Sequence, residues 1–182
     1  MHVRCAALAA TLVLALSACT GHENGPPSPA AADRAAAAAD AAAAFVAFAQ
    51  GEESQVRWAG VVRYYVHGAL VAEFVPSFAD DPDTWDGCHA GDTTYEGRDC
   101  PVSPLSTIGQ DEAPGAGPVV EEAAPQTVGC TADLPRADVD ATPLAWIRPD
   151  PDLRDCFSDY AVTLYLDDDE RVSAVDLVLS GP

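Results

Sequence analysis

Two apolar runs near the C-terminus, Tyr160–Leu166 and Arg171–Leu179, are separated only by Asp167-Asp168-Asp169-Glu170. Both runs are rich in Val, Leu and Tyr, the residues that suit a pleated, half-buried surface. So short a link allows only antiparallel pairing, because a parallel partner needs a crossover of a dozen residues or more. The pair therefore reads as a hairpin, and the remaining elements have to be arranged around it. A tight turn would set Leu164 across from Ser173, but the apolar pattern alone does not fix that register.

Upstream, Val61–Val66 and Ala69–Val75 read as a second hairpin, with His67-Gly68 as its turn. Both faces of this hairpin carry apolar residues, so cover is expected on both sides. Leu144-Ala145-Trp146-Ile147 reads as a further strand. Before the first hairpin lies an Ala-rich helix. Ser28 suits its N-cap, Pro29 its first position, and Gly51 its terminator after Ala49 or Gln50. The bulky residues Phe45, Val46 and Phe48 all fall in its last two turns. That end is expected to pack on the core, with the Ala-rich start as a stalk. Residues 76–128 are rich in Pro, Gly and Asp. They read as loops with short helical turns near Pro82–Trp85 and Ser103–Ile108, and with 110–125 as a mobile connection. One helix against an antiparallel sheet of two hairpins, with a long irregular disulfide-pinned middle, is an α+β arrangement. Its element order resembles the helix-then-curved-sheet layout of cystatin-like and NTF2-like domains. That resemblance is one of order alone and implies no activity.

The first residues carry a different kind of signal. His2 and Arg4 precede an uncharged apolar stretch, Cys5–Leu16. It falls short of the roughly 20 apolar residues that a membrane-spanning helix requires, and has the form of a signal peptide. It ends in Leu16-Ser17-Ala18-Cys19, which resembles the lipobox of bacterial lipoproteins. The resemblance implies diacylglycerol transfer to the Cys19 thiol and cleavage before Cys19. Residues 1–18 would be the signal peptide, 19–28 a lipidated cysteine and flexible tether, and 29–182 a single ectodomain. Each buried methylene of the lipid would contribute about 0.8 kcal/mol to membrane affinity. The expected location is the extracytoplasmic face of the cell membrane. The absence of Lys, with abundant Ala, fits a high-GC, actinobacteria-like source.

Composition narrows the partners. The formal charge is −20, and it becomes −21 if Arg4 leaves with the signal peptide. Nucleic-acid binding depends on Lys and Arg that neutralise phosphates, so that class is excluded. Anionic lipid surfaces would repel the domain as well, leaving the lipid as the membrane contact. Of the six cysteines, Cys5 leaves with the signal and Cys19 takes the lipid. Cys88, Cys100, Cys130 and Cys156 remain, and in an exported chain disulfides are their expected fate. The pairing nearest in sequence is Cys88–Cys100 with Cys130–Cys156, each worth about 3–3.5 kcal/mol on a chain-entropy argument. No CxxC pair occurs, which argues against zinc and against thioredoxin-like exchange.

Candidate chemistry is sparse. His67 sits in a turn, and His89 follows Cys88 with Asp92 nearby. No GxSxG, SxxK or HExxH is present. The acidic clusters Asp80-Asp81-Asp83, Asp150-Asp152-Asp155 and Asp167–Glu170 offer oxygen ligands, yet none has the spacing of an EF-hand loop. Trp85 and Tyr95, in the irregular segment, are the candidate walls of a ligand groove, since loops often carry binding residues. No cofactor and no catalytic residue is expected. The sequence is read as a non-enzymatic binding or interaction ectodomain for an unknown protein or small-molecule ligand. The alternatives are an envelope hydrolase and a calcium-dependent interaction module.

Overall fold

The computed structural model describes residues 29–85, 94–95, 98–99, 103–109, 117–141 and 143–180. Cys19, Cys88, His89 and Cys100 lie outside the described residues, so the Cys88–Cys100 pairing does too. The fold is α+β, with one long helix and a six-stranded sheet.

Helix α1 spans Pro29–Ala49. Alanine loses no side-chain entropy on entering a helix, so this run favours one strongly. Ala38, Ala42 and Phe45 form its buried face, at the three-to-four-residue spacing of one helical side. Residues 29–36 are all exposed, and Arg34 among them pairs with Asp168 at 3.5 Å. The helix ends in a Schellman motif. The Glu52 N–H donates to Ala47 O at 2.9 Å, the Gly51 N–H donates to Phe48 O at 3.1 Å, and Gly51 takes a φ of +72°. Among the described residues no helix is long and apolar enough to cross a membrane.

Strands β1 (Trp58–Val66) and β2 (Ala69–Phe74) form the first hairpin. His67 and Gly68 turn it with φ values of +49° and +74°, the left-handed pair that a type I′ turn requires. Short helices α2 (Pro76–Ala79) and α3 (Pro104–Gly109), a 3-10 turn at Pro82–Trp85 and a small ribbon of β3 (Thr94–Tyr95) with β4 (Arg98–Asp99) follow. Strand β5 (Val119–Glu121) pairs with β6 (Pro143–Arg148), which pairs with β7 (Tyr160–Leu166), which pairs with β8 (Val172–Leu179). The sheet order is β2-β1-β8-β7-β6-β5.

Two details correct the sequence reading, and a third fills in a register that it left open. First, the sheet is not wholly antiparallel: β1 and β8 run parallel, with Tyr64 beside Val175 and Tyr65 beside Asp176. The chain between the two hairpins is long enough to make that crossover. Second, the connection expected over 110–125 contains β5, an edge strand with Val120 beside Ile147. Third, the C-terminal hairpin is offset from a tight turn. Leu164 faces Val175, and the register shifts between Tyr165 and Leu166. The cause is the acidic loop. Asp167 Oδ1 accepts from the N–H groups of Asp169 and Arg171, each at 2.9 Å, and Glu170 adopts a φ of +58°. This wider loop resets the pairing.

Alternation along the strands divides the sheet into two faces. Val62, Tyr64, Val66, Ile147, Val162, Leu164, Val175 and Leu177 join the same apolar core as Ala38, Ala42 and Phe45 of α1. Tyr65, Trp146, Thr163, Tyr165, Asp176 and Val178 alternate with them and belong to the opposite, outer face.

Candidate functional site

Trp85 does not line a groove. It is fully buried, with ring centroids 5.0 Å from Phe74, 5.5 Å from Trp58, 5.7 Å from Tyr64 and 5.8 Å from Phe45. Its indole N–H donates to Ala79 O at 2.9 Å. The 3-10 turn drives this large apolar surface inward, and the one polar atom finds a carbonyl there. Tyr95 lies on the separate β3–β4 ribbon.

Asp81, Asp150, Asp155 and Asp167 serve the local backbone, while Asp80 accepts from the Trp58 indole N–H. Asp81 Oδ1 accepts from Asp83 N–H at 3.1 Å, and Asp150 Oδ1 from Asp152 N–H at 2.9 Å. Asp155 Oδ1 accepts from Phe157 and Ser158 at 2.7 and 2.8 Å, and these bonds hold its carboxyl below the ordinary range. Among the described residues, no three His, Cys, Asp or Glu side chains converge as a cation site. His67 is built into the turn: its N–H donates to Leu177 O at 2.8 Å, and its Nε2 accepts from Leu179 N–H at 3.4 Å.

The feature with the most chemistry lies on the outer face, under an irregular strap made by residues 124–141. Two anchors hold the strap. At one end Cys130 is joined to Cys156 by a disulfide, and Gly129 N–H donates to Asp159 Oδ2 at 2.7 Å. Gly129 has a φ of +57°, and a Cβ there would stand 2.6 Å from Ser180 Cβ and 2.9 Å from Cys156 O. Only glycine lets the strap sit this close. Asp159 also pairs with Arg148, and both are buried. Arg148 Nε donates to Tyr160 O at 3.2 Å, while Glu121 bridges to Arg154 at 2.7 Å.

At the other end the anchor is Asp176. It is 1% exposed. Its Oδ1 accepts from Gly68 N–H at 3.1 Å, and its Oδ2 from Ala137 N–H at 3.0 Å. One carboxylate thus ties the His67-Gly68 turn, the central strand β8 and the strap together. Gly68 is needed here for space as well as for φ, since a Cβ would meet Arg136 O at 2.7 Å. Burial raises the Asp176 pKa above the ordinary carboxylate range, and the two N–H donors oppose that shift. No described arginine pairs with it. Tyr165 is affected in the same sense. Burial first, and then the charge of Asp176, push its pKa up to about 12, against the pull of Arg136 and the Ala137 N–H.

Between the two anchors lies a cavity of about 30 Å³, enough for about two waters. Asp176, Thr163, Tyr165 and Trp146 line it from the sheet, and Arg136 and Leu134 from the strap. Thr163 stands directly across from both Asp176 and Trp146 in the register, which is why these side chains meet in one row. Pro125, Leu134 and Pro135 are shared with an open cleft of about 650 Å³ between 124–126 and 132–136. The arrangement can hold a small polar group at an aromatic and carboxylate floor, with apolar walls at its mouth.

Sequence reasoning missed this site. The available signal was the single Asp in Ser173-Ala174-Val175-Asp176-Leu177-Val178-Leu179, a charge in a strand apolar on both faces. Such a charge costs free energy unless it is hydrogen-bonded. The strap itself carries no motif. No family model, no curated protein and no solved structure matches this chain, so the site stands on its own geometry.

Proposed function

We propose that this chain is a lipoprotein held by a lipid on Cys19 at the extracytoplasmic face of a bacterial cell membrane. Its ectodomain is a non-enzymatic binding module, and the cleft under the strap is where the ligand sits. The observation that carries the anchoring is the run Leu16-Ser17-Ala18-Cys19 at the end of an uncharged apolar stretch. The Cys130–Cys156 disulfide supports an oxidising, exported setting. The exposed first two turns of α1 directly follow the proposed tether, consistent with a short stalk.

The strap cavity supports the binding reading. Its lining offers a carboxylate, a phenol, a hydroxyl and an indole beside apolar walls, the mixture that orients a bound group. The direct test is metabolic labelling with a radioactive fatty acid, combined with membrane fractionation of the wild type and Cys19→Ser. The wild type is expected to take up label and sediment with membranes, and the variant to do neither. Retention of Cys19→Ser in the membrane pellet would refute the anchoring.

A further inference from the structure

We infer that the cavity under the strap recognises a primary alkylammonium group, the chemistry of a lysine side chain or of a free amine. The inference rests on the reading of the strap cleft as the ligand site and specifies what that site takes. Four observations carry it. Asp176 is a nearly inaccessible carboxylate whose described partners are two backbone N–H groups, one on each oxygen. An ionised carboxylate has about four acceptor positions, and these two N–H groups occupy two of them. Burying such a charge without a counter-ion is costly, and a bound ammonium would supply that counter-ion.

The second observation is the lining. Trp146 and Tyr165 share the cavity with Asp176, and aromatic faces attract cations through their ring quadrupole. The third is size. At about 30 Å³ the cavity admits an ammonium head and no whole amino acid. The ligand's remaining atoms must lie in the mouth, where Pro125, Leu134 and Pro135 line the cleft beside Gln126, Asp133 and Arg136. A chain of methylenes ending in a charge suits that sequence of surfaces. The fourth is long-range charge. A chain at −20 attracts cations before contact. The chain contains no Lys, so no side-chain amine of its own can fill the cavity. Arg136 also lines the cavity and is exposed. It stands against the amine, and its removal should strengthen binding.

The test is titration of the lipid-free, disulfide-intact 19–182 chain with n-butylammonium, followed by amide NMR. The readouts are the Gly68 and Ala137 amides and the Trp146 indole. Saturable shifts at all three are expected, with none from n-butanol. Asp176→Asn should weaken binding about tenfold or more, and Arg136→Ala should tighten it about two- to fivefold. If Asp176→Asn misfolds, Arg136→Ala and the n-butanol control still decide. A lysine-containing peptide that binds more tightly than butylammonium would point to a protein partner, and equal affinity to a free amine. Either result supports the inference. No saturable shift, or an equal response to n-butanol, would overturn the amine. If the same amides respond only to an anionic or neutral ligand, the cleft remains the site and the amine class falls. If added ligands shift only amides elsewhere, both readings fall. The fatty-acid labelling is independent of every one of these outcomes.

Discussion

The two faces of the sheet come from the same strands, yet they are built in opposite ways. Toward α1, Phe45, Trp58, Tyr64, Phe74 and Trp85 pack ring on ring. Toward the strap, buried Asp176, Thr163, Arg148 and Asp159 are interleaved with apolar residues, and a small cavity remains. The inner face is covered by α1 together with the short helical turns of residues 76–109, and its stability comes from burial. The outer face is covered by irregular chain, held at a few points by charge-assisted hydrogen bonds and one disulfide. A cover pinned at points leaves space between them, and that space is where recognition can be placed. The ring-packed face supplies the rigidity that keeps the pins in register.

The largest effect is expected on the inner face, where Trp85→Ala should cost about 3–5 kcal/mol, measured by urea denaturation. A cost below about 1 kcal/mol would mean that this cluster is not the centre of the core. On the outer face, Arg148→Met leaves buried Asp159 with the Gly129 N–H and no counter-ion, and should cost about 3 kcal/mol or more. Adding Asp159→Leu should recover part of the loss. If the double variant is as unstable as the single one, the pair is not a closed unit.

The next effect is pH-dependent and confined to the outer face. Tyr165 has a pKa raised from its ordinary 10.0 to about 12. Its contribution is therefore fully present below pH 10 and is lost as the pH rises towards 12. The loss should amount to about 2–3 kcal/mol, and Tyr165→Phe should flatten the stability curve over that interval. A variant curve parallel to the wild type would place the Tyr165 hydroxyl in water. The smallest effect is expected in the strap. Leu134 is half-buried against Val128, Ala161 and Val178, and Leu134→Ala should cost about 1 kcal/mol while loosening the Ala137 amide in hydrogen exchange. Unchanged exchange at Ala137 would show that the strap is held by its two anchors alone.

Much of the inner face was legible in the sequence. The Ala run with Pro29 and Gly51 defined α1, His67-Gly68 defined the first turn, and the two apolar runs defined β7 and β8. These are local signals, in which neighbouring residues carry the information. The parallel pairing of β1 with β8 was not legible, because it joins residues about a hundred positions apart and no turn chemistry records it. The C-terminal register was hidden by the side-chain bonds of Asp167, which widen the loop. Trp85 was placed in a groove because its neighbourhood is rich in Pro and Asp. The structure turns it inward because a large indole contributes more when buried than a loop position does when open. The outer site was least legible of all. Its members come from β6, β7, β8 and the strap, and only the register brings Trp146, Thr163 and Asp176 into one row. Asp176 alone was conspicuous in sequence, as a charge inside an apolar strand.

The most direct test of the whole account is native mass spectrometry of the protein extracted from its own membrane in mild detergent. The expected mass is that of residues 19–182 plus a diacylglycerol-based lipid, reduced by two hydrogens for each disulfide, with a second population carrying an amine-containing species. A mass corresponding to the unprocessed chain, or to a processed chain without lipid, would contradict the central claim.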